Sequence, residues 1–307
     1  MSNINSKTLS NKIDFAVIIS VRRANPNGDP LSGNRPRQTY DGYGEISDVC
    51  LKRKIRNRLQ DMGESIFVQS DDNRVDDFRS LNERFNAADL SDTRKDGCAK
   101  WFDVRAFGQV FAFPKKGKGK PKKGEAKQAD TEIDSTDGSA DSVSVGIRGP
   151  VTIQSAFSLD PITPESIQIV KSVNLETTAG DKKGSDTMGM KHRVDKGIYV
   201  AYGSINTQLA SKTGFTDEDG EKIKAALRSL FVNDVSSARP DGSMEVLKVV
   251  WWKHNSPIGQ YSSAKIHRAL RELLDEKKDG TYDSDKLREK LPDLVTEELD
   301  QLEGAEL

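Results

Sequence analysis

The residues best placed for chemistry are cations and amides gathered in one stretch, Arg22–Leu59, RRANPNGDPLSGNRPRQTYDGYGEISDVCLKRKIRNRL. Arg22, Arg23, Arg35 and Arg37 flank the turn Asn25-Pro26-Asn27-Gly28-Asp29-Pro30. Pro26 and Pro30 remove backbone donors and push the residue before each out of the helical region. Asn27-Gly28 is a turn signal, because both residues tolerate positive φ. Gly28 is therefore expected to adopt left-handed backbone. Lys52, Arg53, Lys54, Arg56 and Arg58 then crowd into seven positions, with Asp48 the sole acid between Ile46 and Leu59. Like charges at i,i+4 repel by a few tenths of a kcal/mol per pair. A cationic loop feeding a cationic helix with no acid to relieve it suits a polyanion such as a phosphate backbone.

Other chemistry finds little support. His192, His254 and His267 form no metal-binding spacing, and no phosphate-loop or nucleophile motif follows a strand and opens a helix. Cys50 and Cys98 are far apart and fit neither a zinc pair nor a disulfide scaffold, which points to a reducing compartment. Asp29, Asp41 and Asp103 are the only acids near the basic loops, and they read as turn residues or arginine partners. RNP1-type aromatics for base stacking are absent. No catalytic residue, metal or cofactor is expected.

The elements that position the basic stretch follow from periodicity. Asp14–Val21 reads as a strand. Ile46, Val49, Cys50, Ile55, Leu59 and Met62 recur at helical spacing, with Ser47 as N-cap and Gly63 as stop. Arg74–Leu90 is expected to form a second helix, and Trp101–Phe111 a strand. Residues 114–141, lysine-rich and then acidic, read as a mobile loop. Ser142–Leu159 is a strand pair broken at Gly149-Pro150, and 160–193 is an excursion without clear periodicity. Gly197–Ala210 and Glu245–Lys253 alternate as strands. Thr216–Phe231, capped by Thr216, and Ser262–Glu276 are helical, with a further helix near Asp285–Leu291. The order of elements is that of a ferredoxin-like or RNA-recognition (RRM) fold of the α+β class, an antiparallel sheet with helices on one face.

The chain has 307 residues, 35% of them apolar and 31% charged, with a formal net charge of −1. Nine acids against three bases from residue 281 onward leave the rest of the chain with a net positive balance. A basic body with an acidic tail at 281–307 fits nucleic-acid binding or assembly with other subunits. No apolar run approaches the ~18 residues of a membrane helix, so a soluble, cytoplasmic protein with no membrane partner is expected.

The strand followed by RRANPNGDPLSGNRPR, together with FDVRAFGQVF, GIRGPVTIQSAFSLDPI and MGMKHRVDKGIYVAYGSIN, resembles the CRISPR-associated "seven" family of RAMP proteins. The likeness is to the backbone subunit of type I-C Cascade, and it covers roughly 14–253. It implies a single modified RRM palm over 1–307, helical finger insertions at 63–100 and 114–141, and a thumb-like β-hairpin at 160–193. Copies would stack head to tail along the crRNA spacer and present it to target DNA, beside the large, small and crRNA-processing subunits of Cascade. Arg22, Asn25, Asn27, Gly28, Arg35 and Arg37, with Lys52, Arg53 and Arg56, would line the guide backbone. Arg148 and Gln154 fall in the matching strand segments. Met188 and Met190 would wedge between guide bases, beside Lys191, His192 and Arg193. Phosphate contacts position a strand without reading it, as a changeable guide requires. The alternative is a related RAMP subunit that cuts target RNA with a loop aspartate and a metal ion, Asp29 or Asp41 being the candidate.

Overall fold

The structure is a computed structural model and describes residues 8–112, 144–170 and 188–302. It is built around strand β1 (Ile13–Ala24), which is buried without a break from Ile13 to Val21. Phe15, Val17 and Ile19 pack into one core, and Ala16 and Ile18 into another on the opposite face. Its centre, Phe15–Ile19, is the unbroken apolar run that a strand covered on both faces requires.

Two short strands, β2 (Gly28–Asp29) and β3 (Arg35–Pro36), pair within the loop, and β4 (Tyr43–Ile46) leads into helix α1 (Asp48–Asp61). The Ser47 hydroxyl caps α1 by accepting from the Cys50 N–H, and Gly63 at φ +89° follows its end. Leu51, Ile55 and Leu59 form the buried stripe, whereas Val49 is 70% exposed. The long helix expected over Arg74–Leu90 shrinks to α2 (Leu81–Ala87). Arg84 grips the Asp76 carboxylate with two bonds of 2.7 and 2.8 Å, and Asp76 also accepts from the Phe78 N–H. That turn holds 76–78 out of helical geometry, and the helix starts at its Ser80 cap.

Helix α3 (Thr93–Lys100) is followed by a second departure from expectation. Trp101–Phe111 is not a continuous strand but helix α4 (Phe102–Phe107) and then strand β5 (Gly108–Phe111). Its apolar residues serve two cores at helical spacing: Phe102 and Ala106 face the main core, Trp101 and Val104 a third cluster with Phe67, Cys98 and Phe111. Gly108 makes the switch at φ +81°, where a Cβ would collide with the Ile147 carbonyl. Strand β6 (Val145–Arg148) pairs with β5, and Gly149-Pro150 separates it from β7 (Val151–Ile153) and β8 (Ala156–Pro161). Strand β9 (Pro164–Val170) pairs with the first part of the long β10 (Met188–Ile205). The expected strand to Ala210 stops at Ile205, because Asn206 caps helix α5 (Thr207–Thr213). Residues 114–141 lie outside the described residues.

Helix α6 (Asp217–Arg228) starts in a capping box, Thr216 and Asp219 each accepting the other's backbone N–H. Strand β11 (Met244–Lys253), helix α7 (Ser263–Lys277), helix α8 (Ser284–Lys290) and strand β12 (Val295–Leu299) follow among the described residues. The fold is mixed α/β with a large antiparallel sheet in the order β12-β11-β1-β10-β8-β4, and β7 and β9 also pair with β10. Helices α1 and α6 cover one face and α7 and α8 the other, not one face alone as expected. The described part of the acidic tail, up to residue 302, packs on the body of the protein. β12 extends the sheet edge, Glu297 pairs with Lys224 at 2.8 Å, and Glu298 accepts from Tyr282, Ser284 and Arg288.

A buried polar centre seats α7 on the sheet. Asp14 accepts from His254 Nε2 at 2.8 Å and pairs with Lys12 at 2.9 Å. His267 of α7 lies 3.7 Å from the other Asp14 oxygen, and its ring packs on Tyr202 at 4.8 Å. No helix among the described residues is long and apolar enough to cross a membrane.

Candidate nucleic-acid interface

The basic loop is held by its own amides. Asn25 Nδ2 donates to the Asn34 carbonyl at 2.7 Å, and its backbone N–H to Ala238 at 2.9 Å. Asn27 Oδ1 accepts from both the N–H and the hydroxyl of Ser47, each at 2.9 Å, and so fastens the loop to the start of α1. Asp29 accepts from Leu31 N–H and the Ser32 hydroxyl and lies 3.6 Å from Arg37. Gly28 does not need left-handed backbone. The positive φ values fall on Gly33 and Asn34, at +64° and +62°. Gly28 lacks room instead: a Cβ there would collide with the Asn34 side chain and come 3.0 Å from its carbonyl oxygen.

The cations of α1 are not unrelieved. Lys52 pairs with Asp48 at 3.1 Å, Arg56 with Asp103 at 3.0 Å and Arg58 with Asp61 at 3.8 Å. Lys54 and Arg53 share Asp234 with Arg239. Lys54 is fully buried, and burial lowers its pKa from the usual lysine value against the pull of Asp234. Asp48 and Asp61 belong to α1 itself, but Asp103 and Asp234 come from distant segments, which no reading of α1 alone could supply. Arg53 and Lys52 keep partial exposure, at 37% and 28% of the side chain.

The exposed cations lie elsewhere. Arg22 and Arg23 project from the end of β1, and the Arg22–Lys196 register of β1 and β10 brings Lys196 beside them. These three and Asp195 line a cavity of about 300 Å³. Arg23, at φ +51°, drops out of the ladder, and its guanidinium lies 3.5 Å from Asp195. Arg35 is exposed, and Arg37 Nε is buried with no acceptor among the described residues. Lys196 escaped the sequence reading because its neighbour Arg22 is distant in the chain.

Beyond Lys196, β9 and β10 continue as a two-stranded ladder from Val194–Pro164 to Met188–Val170. Met188 and Met190 sit on one face with His192, 66% and 55% exposed. Lys191 and Arg193 occupy the opposite face beside Ile167 and Glu165, and Arg193 pairs with Glu165 at 2.9 Å. His192 Nδ1 is 2.9 Å from the Ser166 hydroxyl. Two of the expected site residues stand apart. Arg148 is exposed in the separate β5–β6 ladder, and Gln154 is exposed in the turn between β7 and β8. Among the described residues, no group of three or more His, Cys, Asp or Glu is arranged to hold a metal ion.

The chain is similar to known proteins. A Haloferax volcanii protein named CRISPR-associated protein Cas7 is 26% identical over 240 residues, 75% of this chain and 67% of that protein. Two solved structures align over 93% of the chain at 16% identity. One, a pre-nicking CRISPR RNA-guided surveillance complex, has a TM-score of 0.48 over 91% of its chain. The other, a CRISPR RNA-guided surveillance complex, has a TM-score of 0.46 over 87% of its chain. The model of the family described as CRISPR-associated protein Cas7 matches residues 11–291, so the chain belongs to that family.

Proposed function

We propose that this protein is the non-catalytic RNA-binding backbone subunit of a type I-C Cascade-like surveillance complex. The observation that carries the reading is the family match over residues 11–291. Copies polymerise along the spacer of a crRNA and hold it for pairing with target DNA, beside the large, small and crRNA-processing subunits. The β1–α1–β8–β10–α6–β11 succession, with sheet order β11-β1-β10-β8, supports a ferredoxin-like, RRM-type palm. Residues 63–100 serve as a finger and the β9–β10 ladder as the base of a thumb. Arg22, Arg35, Arg37 and Lys196 then contact guide phosphates, and Met188 and Met190 present one flexible apolar face to the bases.

The loop amides contribute differently from the exposed cations. Asn25 and Asn27 spend their side chains on the loop itself and shape the path that the arginines line. Asp29, one of the two candidates of the nuclease alternative with Asp41, is likewise occupied by Leu31 and Ser32.

Co-expression with a CRISPR array tests the reading. RNA of uniform length is expected to co-purify with the protein, and complementary RNA with Mg²⁺ should remain uncut. Protein free of RNA at low salt would overturn the backbone role. Evenly spaced cuts in complementary RNA would overturn the non-catalytic one.

A further inference from the structure

Helices α7 and α8 cover only part of the second sheet face. They lie over β11, β1 and part of β10, and the face formed by β10, β8 and β4 stays open as a trough of about 690 Å³. Three aromatic residues remote in sequence meet there: Tyr43 of β4, Phe157 of β8 and Tyr202 of β10. Phe157 pairs with Val200 and Glu45 in the sheet, and 44% of it is exposed. Arg271 of α7 lies over the Tyr202 ring at 5.3 Å and forms the far wall with Asp275.

We propose that this trough is a stacking site for an unpaired base of single-stranded nucleic acid, distinct from the cations of the basic loop. The proposal goes beyond the guide-holding role and does not depend on it. A nucleobase offers a π face to Phe157 and a hydrogen-bonding edge to Gln154 and Asp275, both in the lining. The chain of cations fits the attached phosphates. Arg271 borders the trough, and Lys278 is shared with a neighbouring cavity of about 380 Å³ that continues to Lys196 and Arg22. The nearby acids offset part of this charge, and Arg271, Lys196 and Arg22 carry the rest. Asp160 is paired with Lys278 at 2.8 Å, and Asp279 accepts from the Thr281 N–H and hydroxyl. A protein partner would need a broader apolar surface, and Phe157 is the only largely exposed large apolar side chain lining the trough.

An oligouridylate carrying 5-iodouridine, cross-linked to the intact chain and mapped by mass spectrometry, tests the site. Adducts at Phe157 or Tyr43 are expected. Phe157→Ala should weaken oligouridylate binding about ten-fold, and Phe157→Trp should retain it. The salt dependence should not change in Phe157→Ala, because stacking releases no counterions. Equal melting temperatures of the three proteins would show that the fold is intact. Adducts confined to other residues overturn the proposal, as does unchanged affinity in Phe157→Ala. Either result would leave the guide-holding role standing, since that is read from RNA co-purified with the complex.

Discussion

Arg56 of α1 and Asp103 of α4 are joined at 3.0 Å, and both are largely buried. The same carboxylate accepts the backbone N–H groups of Phe67 and Val68 at 2.7 and 3.0 Å. Arg56 is therefore a strut between two parts of the chain, and its guanidinium also lies over the Phe107 ring. Arg56→Ala is expected to destabilise the fold by about 3 kcal/mol, because it leaves a buried carboxylate short of its counter-charge. A urea melt checks this. A stability unchanged from wild type would return Arg56 to the candidates for phosphate contact.

The exposed cations should behave in the opposite way. Arg22→Ala, Arg35→Ala and Lys196→Ala are expected to leave the melt unchanged. Each lost single-strand phosphate contact should lower the slope of log affinity against log salt by about 0.7. Binding titrations of guide RNA over a range of salt measure this. A triple variant with the wild-type slope would show that the guide does not pass the end of β1.

Gly28 and Asn34 form a matched pair. Gly28→Ala is expected to cost about 1–3 kcal/mol, the range for overpacking a filled site, because the new methyl meets the Asn34 side chain. Asn34→Gly in the same chain should recover most of it, since glycine adopts the φ of +62° at that position without strain. A double-mutant cycle of urea melts reads the coupling. Purely additive effects would refute the pairing.

The β9–β10 ladder separates stability from assembly. Met188→Ser with Met190→Ser should change stability by less than about 0.5 kcal/mol, because both side chains are exposed. The same variant should erase the periodic reactivity of guide bases in chemical probing of the assembled complex. A preserved period would show that the methionines do not displace bases.

The centre beneath α7 makes stability depend on pH. Burial is the largest influence on His267 and lowers its pKa below the ordinary 6.5, opposed by Asp14 and aided by the charges of Lys12 and Arg271. A folded value below the unfolded one means that the contribution is complete above about pH 6.5. It is lost as the pH falls through the folded value. For Asp14, burial raises the pKa, but hydrogen bonds from His254, Lys12 and Ser263 outweigh it and keep the carboxyl below 3.8. Its share is therefore lost only in more acid solution. Urea midpoints between about pH 7 and pH 5 should fall for the wild type, and His267→Gln should flatten that fall. An equal slope in the variant would place the titration elsewhere.

The elements with strong local signals could be read from the sequence. The apolar run of β1, the Ser47 cap and Gly63 stop of α1, the Thr216 cap of α6 and the strand β11 are set by neighbours a few residues away. The motif-bearing segments also carried the family likeness. Local patterns failed where partners come from afar. Trp101–Phe111 alternates well enough for a strand, yet two separate cores claim its two sides and impose a helix on Phe102–Phe107. The second helical layer was foreseeable only as separate helices, because their placement depends on which face of β1 remains uncovered.

The candidate site divides in the same way. Composition identified the loop and its arginines, since a run of like charge is a property of the chain. Tertiary structure decided which charges are free. Asp103 and Asp234 neutralise part of α1 from 47 and 180 residues away, and the β1–β10 register sets Lys196 beside Arg22. Tyr43, Phe157 and Tyr202 share no local motif and meet only because β4, β8 and β10 are neighbours in the sheet. Charge pairing and stacking act over a few ångströms of space, and strand order, not sequence separation, determines which residues come that close.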